Sequence, residues 1–253
     1  MIIDSHAHIY QPEFEDDIDE VIQNAKAVGI SAIYMPNIDS STIHRMENLE
    51  IKHPMCKSMM GIHPCYIKEN YLEELAIVKQ KLEQKKYVGV GEIGIDLYWD
   101  KSFADAQFEA FRYQIELAKE HEIPFVIHSR DALEHTISIV EEMQDGNLRG
   151  IFHCFNGTVE EGKRIVDLGF YMGIGGVVTY KNAGVDKVVE QLPIEAMVLE
   201  TDAPYLSPGP KRSKRNEPKF ITKVVDKLVE IKGMTKDNIE KVTSENCKKI
   251  FKD

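Results

Sequence analysis

Basic residues are in short supply in this chain: 31 Lys and Arg stand against 42 Asp and Glu, a formal net charge of −11 over 253 residues. So acidic a balance argues against a protein that coats nucleic acid generally, which would normally be basic. It leaves room for an enzyme that engages nucleic acid locally through bound cations. Cysteine is scarce as well. Cys56, Cys65, Cys154 and Cys247 form no CxxC pair and no framework suited to a secreted mini-protein, so reduced, mostly packed thiols are expected. No apolar run approaches the roughly 18 residues a membrane helix needs. Nor does the stretch after Met1 have a basic region followed by an apolar segment. A cytoplasmic location without membrane association is therefore expected. No glycine-rich turn follows the first apolar run, where Asp4-Ser5-His6-Ala7-His8 stands instead, and this disfavours a dinucleotide-binding sheet. Internal repeats, low-complexity tracts and long linkers are missing too, which points to one domain over residues 1–253.

What is present is alternation. Short apolar runs, expected as strands near 2–6, 31–36, 57–62, 87–92, 124–128, 150–154, 169–174 and 196–201, alternate with amphipathic stretches. Helices are expected near 14–28, 41–53, 71–84, 103–121, 131–144, 158–168 and 184–191, with two more near 217–231 and 235–251. Eight strands with interleaved helices in a chain of this length predict an α/β fold of the (β/α)₈ barrel type, ordinarily about 250 residues. Thr158 followed by Glu161 has the form of a capping box. The glycines in Gly89-Val90-Gly91-Glu92-Ile93-Gly94 do not fit a nucleotide loop, and are read as close backbone approach around a carboxylate. The Pro-rich stretch 203–218 reads as an ordered loop over the barrel mouth, carrying the basic cluster Lys211, Arg212, Lys214 and Arg215.

Six metal-type side chains sit at or near the ends of expected strands: His6, His8, Glu92, His128, His153 and Asp202. Residues so far apart converge only if the strands do, and a closed parallel barrel gathers its strand C-terminal ends into one mouth. His6 and His8, two apart, would face one side of a strand and could chelate a cation such as Zn²⁺ or Mn²⁺, although a lone HxH also occurs in packed or surface positions. Glu92 could bridge two cations through its two oxygens, or pair with a nearby Lys or Arg. A core role rivals the ligand role for His128 and His153, but their equivalent strand-end placement counts against it. Asp202 is the candidate general base for a water whose pKa a cation lowers, and Glu200 either orients a ligand or is structural. Alternation would point Cys154 away from whatever His153 faces.

The ordered set Asp-Ser-His6-Ala-His8, Gly-Ile-His63-Pro, Gly-Glu92-Ile-Gly-Ile-Asp96, Ile-His128-Ser-Arg130, His153-Cys-Phe-Asn156-Gly157, Glu200-Thr-Asp202-Ala-Pro-Tyr and Arg215-Asn-Glu-Pro218 resembles the TatD family of metal-dependent DNases along essentially the whole chain. The resemblance implies an amidohydrolase-like TIM barrel that hydrolyses phosphodiester bonds of DNA with two divalent cations, Mg, Mn or Zn. It assigns His6, His8, Glu92 and Asp202 to one cation and Glu92, His128 and His153 to the other, with Glu92 bridging and with Glu92 and Asp202 catalytic. It offers His63, Arg130, Tyr205 and Arg215 as substrate contacts. Each has a bland rival: a structural histidine before Pro64, a wall ion pair, loop packing, or a solvated charge. Asn156 stands where the family commonly has Ser, which touches substrate contact rather than the metal site. Two other readings remain open. One is an amidohydrolase or phosphotriesterase-like enzyme acting on a small ester, amide or phosphoester. The other is a metal-stabilised barrel without catalysis, against which the open carboxylate at Asp202 argues.

Overall fold

Runs rich in Ile, Val, Met and Phe are the cheapest segments to bury on both faces, as a parallel sheet under helices requires. A computed structural model, which describes residues 1–210 and 213–252, makes eight parallel strands of them. The strands are β1 (Ile2–Asp4), β2 (Ile30–Pro36), β3 (Cys56–Met59), β4 (Val90–Asp96), β5 (Phe125–Arg130), β6 (Gly150–Phe152), β7 (Tyr171–Ile174) and β8 (Met197–Leu199). They pair in chain order, β1 to β3 and β4 to β8. Two seams close the ring. At one, Met60 bridges Val90. At the other, the Ser5 amide donates to the Leu199 carbonyl at 2.9 Å and the Asp202 amide to the His6 carbonyl at 2.8 Å.

The amphipathic stretches become α1 (Ile18–Ala27), α2 (Ile43–Lys52), α3 (Tyr71–Gln84), α4 (Ala104–Glu120), α5 (Leu133–Met143), α6 (Val159–Asp167), α7 (Val185–Gln191), α8 (Ile221–Lys232) and α9 (Lys236–Phe251). Each interior α/β helix turns its apolar stripe onto the strands. In α4, for example, Ala110, Phe111, Ile115 and Ala118 are buried. The capping box opens α6 as expected: the Thr158 hydroxyl accepts from the Glu161 amide at 3.2 Å, and the Glu161 carboxylate accepts from the Thr158 amide at 2.7 Å. The four cysteines are reduced, with none in a disulfide. No helix among the described residues is long and apolar enough to cross a membrane.

The strand ends differ from expectation in a way that matters for the site. β4 runs on to Asp96 rather than stopping at Glu92, pairing Gly94, Ile95 and Asp96 with His128, Ser129 and Arg130. Gly94 permits this. Its φ is +141°, and a Cβ there would lie 2.0 Å from the His128 carbonyl oxygen, so only glycine lets β4 approach β5 so closely. Conversely β1, β6 and β8 stop early, leaving His6, His8, His153 and Asp202 on the segments just past them.

Candidate metal centre

Six of the expected ligands meet at one point of the barrel mouth, arranged around the two oxygens of Glu92. On the Oε2 side, His6 Nε2 lies at 3.1 Å and His8 Nε2 at 3.2 Å, with the two nitrogens 3.2 Å from each other. Asp202 Oδ1 lies 3.6 and 3.7 Å from the same nitrogens. On the Oε1 side stand His128 Nδ1 at 2.9 Å, His153 Nε2 at 3.1 Å and His63 Nε2 at 3.4 Å. The rings of His6 and His153 stack at 3.9 Å between centroids, closing the two groups against each other.

The partners behind each ring fix its protons. The Tyr10 hydroxyl spends its single proton on the Pro36 carbonyl at 2.6 Å, so its oxygen accepts from His8 Nδ1 at 3.0 Å. His128 Nε2 faces Asp96 Oδ2 at 2.9 Å, and His153 Nδ1 faces Glu200 Oε1 at 3.3 Å, close but not aligned as a hydrogen bond. The outer nitrogen of His8 therefore carries its proton. His128 and His153 each stand between two carboxylates, which accept only. Each of these rings turns a donor outward to Asp96 or Glu200 and faces Glu92 with a proton, or with a lone pair where a cation takes the proton's place. That is the arrangement of carboxylate-oriented imidazole ligands. His63 has the opposite tautomer. Its Nδ1 accepts from the Cys65 amide at 3.1 Å, so its Nε2 carries a proton and points a donor into the site.

So many acceptor nitrogens and carboxylate oxygens converge at about 3 Å away from water that protons or a cation must lie among them. The donor set therefore fits divalent metal: mixed imidazole nitrogen and carboxylate oxygen, with the trios His6, His8 and Glu92, and His6, His153 and Asp202 each close enough to share an ion. His63, Glu92 and His128 also lie close enough, but the proton on His63 makes it a neighbour rather than a ligand.

Protons on two of the rings offset the carboxylate charge of the cluster. Burial pulls His153 and His128 down, but Glu92 with Glu200, and Asp96 with Glu92, outweigh it and hold both above the usual histidine range. Burial pushes the Glu92 carboxyl up, but His153, His63 and His6 outweigh it and hold it well below the usual carboxylate range. Burial and the neighbouring His153 keep His6 neutral. Asp202 is pushed up to about 6 by burial, offset in part by His153 and His8. Asp96 resists its burial through His128 and the amides of Trp99 and Tyr98, and stays well below the ordinary range.

The centre opens into a cavity of about 770 Å³ lined by His8, His63, Glu92, His128, His153 and Asp202 at its floor, with Lys68, Trp99, Arg130, Tyr205 and Leu206 on its walls. A model of the family described as TatD related DNase matches residues 3–252. The chain belongs to that family. An uncharacterized metal-dependent hydrolase of Bacillus subtilis, YabD, is 39% identical over 253 residues, 100% of this chain and 99% of its own length. The protein named 3'-5' ssDNA/RNA exonuclease TatD from Erwinia billingiae is 30% identical, with 99% of each chain covered. Among solved structures, the TatD homologue YjjV of Escherichia coli K12 superposes with a TM-score of 0.95 at 27% identity, covering 100% of this chain and 98% of that one. Membership in the family carries the reaction class expected from the motifs, metal-dependent hydrolysis, and the TIM-barrel fold.

The residues offered as substrate contacts separate. His63 reaches the centre, and Arg130 and Tyr205 line the cavity. Arg215 is engaged elsewhere: its guanidinium donates to Asp17 at 2.9 and 2.5 Å and lies 4.5 Å over the Phe14 ring, tying the 203–218 loop to the start of α1. Lys211 and Arg212 lie outside the described residues. Cys154, expected to point away, borders the cavity, because its φ of +48° breaks the strand alternation on which that expectation rested. Sequence reasoning gave no role to Tyr10, Asn37 or Asn216. Asn37 is buried and accepts, through its carbonyl, the Glu92 amide at 3.1 Å. Asn216 pins the mouth loop by donating to the Thr201 and Tyr205 carbonyls at 2.7 Å each. Gly173 makes room for the orienting carboxylate, since a Cβ there would lie 2.0 Å from Glu200 Oε2.

Proposed function

We propose that this chain is a TatD-type nuclease that hydrolyses phosphodiester bonds of DNA at a centre holding two divalent cations, Mg, Mn or Zn. The observation that carries the reading is the division of Glu92: each of its two oxygens faces a separate set of imidazole nitrogens at 2.9–3.2 Å. In this reading His6, His8 and Asp202 would hold one cation with Glu92 Oε2, and His128 and His153 would hold the other with Glu92 Oε1. Cations bound there supply Lewis acidity, lowering the pKa of the attacking water and offsetting phosphate charge, which is how so acidic a chain accommodates a polyanion.

The side chains do the rest. Asp202 is the carboxylate at the cavity edge of the cluster. Its φ is +56°, a conformation Asp tolerates better than most residues, and its own amide donates to the His6 carbonyl at 2.8 Å, which fixes its position. There it takes the proton of the attacking water. The His63 Nε2 proton is free to donate to a phosphate oxygen, and Tyr10, Asp96 and Glu200 keep three imidazoles turned inward. Lys68 and Arg130 are the cations of the described cavity wall and meet the flanking phosphates.

The test is an activity screen on single-stranded DNA, duplex DNA, RNA and a generic phosphodiester, after chelation and with Mg, Mn or Zn restored. Nucleic-acid cleavage should return only with a cation. Asp202→Ala and Glu92→Ala should each lose roughly 10²-fold or more while circular dichroism shows an intact fold. Wild-type turnover by metal-depleted Asp202→Ala would sink the assignment. Rapid hydrolysis of a small ester with no cleavage of any nucleic acid would favour the small-substrate amidohydrolase instead.

A further inference from the structure

Large apolar side chains left in water are unevenly distributed on this molecule. Trp99 (67% exposed), Tyr66 (46%), Tyr205 (46%) and Leu206 (38%) line the cavity described above, and Tyr98 (50%) adjoins Trp99. Burial of even one such ring would stabilise the fold by about 1.5–3 kcal/mol, so their exposure here needs a reason. Tyr98 and Trp99 are the most solvent-open pair and they are not loosely held. The Asp96 Oδ1 accepts from the Tyr98 amide at 3.0 Å and the Trp99 amide at 3.1 Å, while its Oδ2 faces His128 Nε2 at 2.9 Å. One carboxylate thus sets both the orientation of a ligand histidine and the position of the aromatic turn. The Asp96 amide is anchored in its own right to Gln107 Oε1 at 2.8 Å.

Arg130, one strand over on β5, completes the assembly. Its guanidinium lies 3.9 Å above the Tyr98 ring and 5.1 Å from that of Trp99, and it makes no ion pair among the described residues. Stacked in this way the planar group keeps its edge donors free for a phosphate. The Tyr98 and Trp99 rings meet edge to face at 4.9 Å and 85°, and Trp99, two-thirds exposed, lines the cavity.

We infer that Trp99, backed by Tyr98 and Arg130, is a stacking platform for one unpaired nucleobase, placed next to the reacting phosphate. This rests on the nuclease reading and sharpens its substrate class. Bases inside a duplex have both faces covered by their neighbours, whereas a single-stranded or frayed base offers a free face to an aromatic ring. A fixed aromatic pays little conformational entropy on binding. Since every base has a π-face, the platform selects for strandedness rather than sequence. Arg130 holds the adjoining phosphate, and the rigid link through Asp96 sets the distance from stacked base to scissile bond.

Trp99 is the sole tryptophan of the chain, so its emission reports on this position alone. The experiment titrates the Mg²⁺-loaded protein with a slowly cleaved phosphorothioate hexathymidylate, and with an abasic phosphorothioate strand of equal length. Affinity is read by titration calorimetry in every variant, and Trp99 emission in the wild type. The thymidylate should quench Trp99 saturably and bind more tightly than the abasic strand, which should leave the emission largely intact. Trp99→Ala should weaken thymidylate binding roughly 5- to 150-fold, the range for loss of one base stack. It should also abolish the difference between the two strands, and Trp99→Phe should restore that difference. Equal quenching by both strands, or a Trp99→Ala protein that still prefers thymidylate as the wild type does, overturns the platform even where cleavage persists. A wild-type protein that binds neither strand overturns the nuclease reading and the platform with it.

Discussion

Replacing Asp96 by Asn changes one atom at the hinge between ligand and loop, and its consequence can be worked out from proton positions. The amide keeps the shape of the carboxylate. Its oxygen can still accept from the Tyr98 and Trp99 amides, now at 3.0 and 3.1 Å, so the loop should stay in place. Its nitrogen takes the position of Oδ2, 2.9 Å from His128 Nε2. Two donors cannot face each other there, so His128 must move its proton to Nδ1. That proton then points at Glu92 Oε1, 2.9 Å away, and makes a good hydrogen bond in the metal-free protein. The lone pair that would hold a cation is lost. Removing such an orienting partner typically costs 10- to 100-fold in metal affinity, or about 1.4–2.7 kcal/mol. Thermal unfolding separates the two effects. Metal-free Asp96→Asn should melt below the wild type at neutral pH, because a carboxyl held below its ordinary range stabilises the fold there. The stabilisation conferred by Mn²⁺ at 100 times the wild-type Kd, about 2.7 kcal/mol, should fall to about 0.4 kcal/mol for a hundredfold loss of affinity. Titration calorimetry should show one of two cations weakened. A variant that binds both as the wild type does refutes the tautomer assignment.

Two further perturbations bear on the mouth loop. Asn216→Ala removes donors to the buried Thr201 carbonyl and the part-buried Tyr205 carbonyl, and the acceptor of the Glu217 amide at 2.9 Å. At about 1–3 kcal/mol for the buried Thr201 carbonyl left unsatisfied, urea unfolding should show a loss of at least that size, with protease cutting inside 203–218. An unchanged midpoint would exclude the pin. Arg215→Ala should cost about 0.5–1 kcal/mol, the upper range for a partly exposed bidentate pair. Arg215 holds the Asp17 carboxyl below its usual range. Folding is therefore favoured by this pair above the unfolded carboxylate pKa of about 3.9, and the contribution disappears as pH falls through the lower folded value. The stability gap between wild type and Arg215→Ala should be open at neutral pH and close in strong acid. A gap that persists there, or a loss of oligonucleotide affinity in place of stability, would return Arg215 to the substrate.

The candidate ligands were readable because their chemistry is conspicuous: His, Glu and Asp at the ends of apolar runs cannot be buried cheaply without a purpose. The barrel was readable from alternation and length for the same kind of reason, since eight apolar runs have few ways to be covered on both faces. What escaped was whatever depends on a partner brought from elsewhere in the chain. Arg215 looked like a free cation in a basic loop, and only the fold sets it against Asp17 and Phe14 near the opposite end of the sequence. The strand rule applied to Cys154 ceases two residues earlier, where β6 ends at Phe152, and the backbone at Cys154 turns to positive φ. His63 makes the point most sharply. From sequence it stands evenly between phosphate contact and structural residue, and from distance alone it belongs with Glu92 and His128 as a third ligand of that group. The Cys65 amide, two residues away, decides otherwise by occupying the lone pair of Nδ1 and leaving the proton on Nε2. A residue type names a repertoire of donors and acceptors, but the tautomer that selects among them is set by a neighbour's hydrogen bond. For a histidine at a metal centre, that choice separates a ligand from a donor to the substrate.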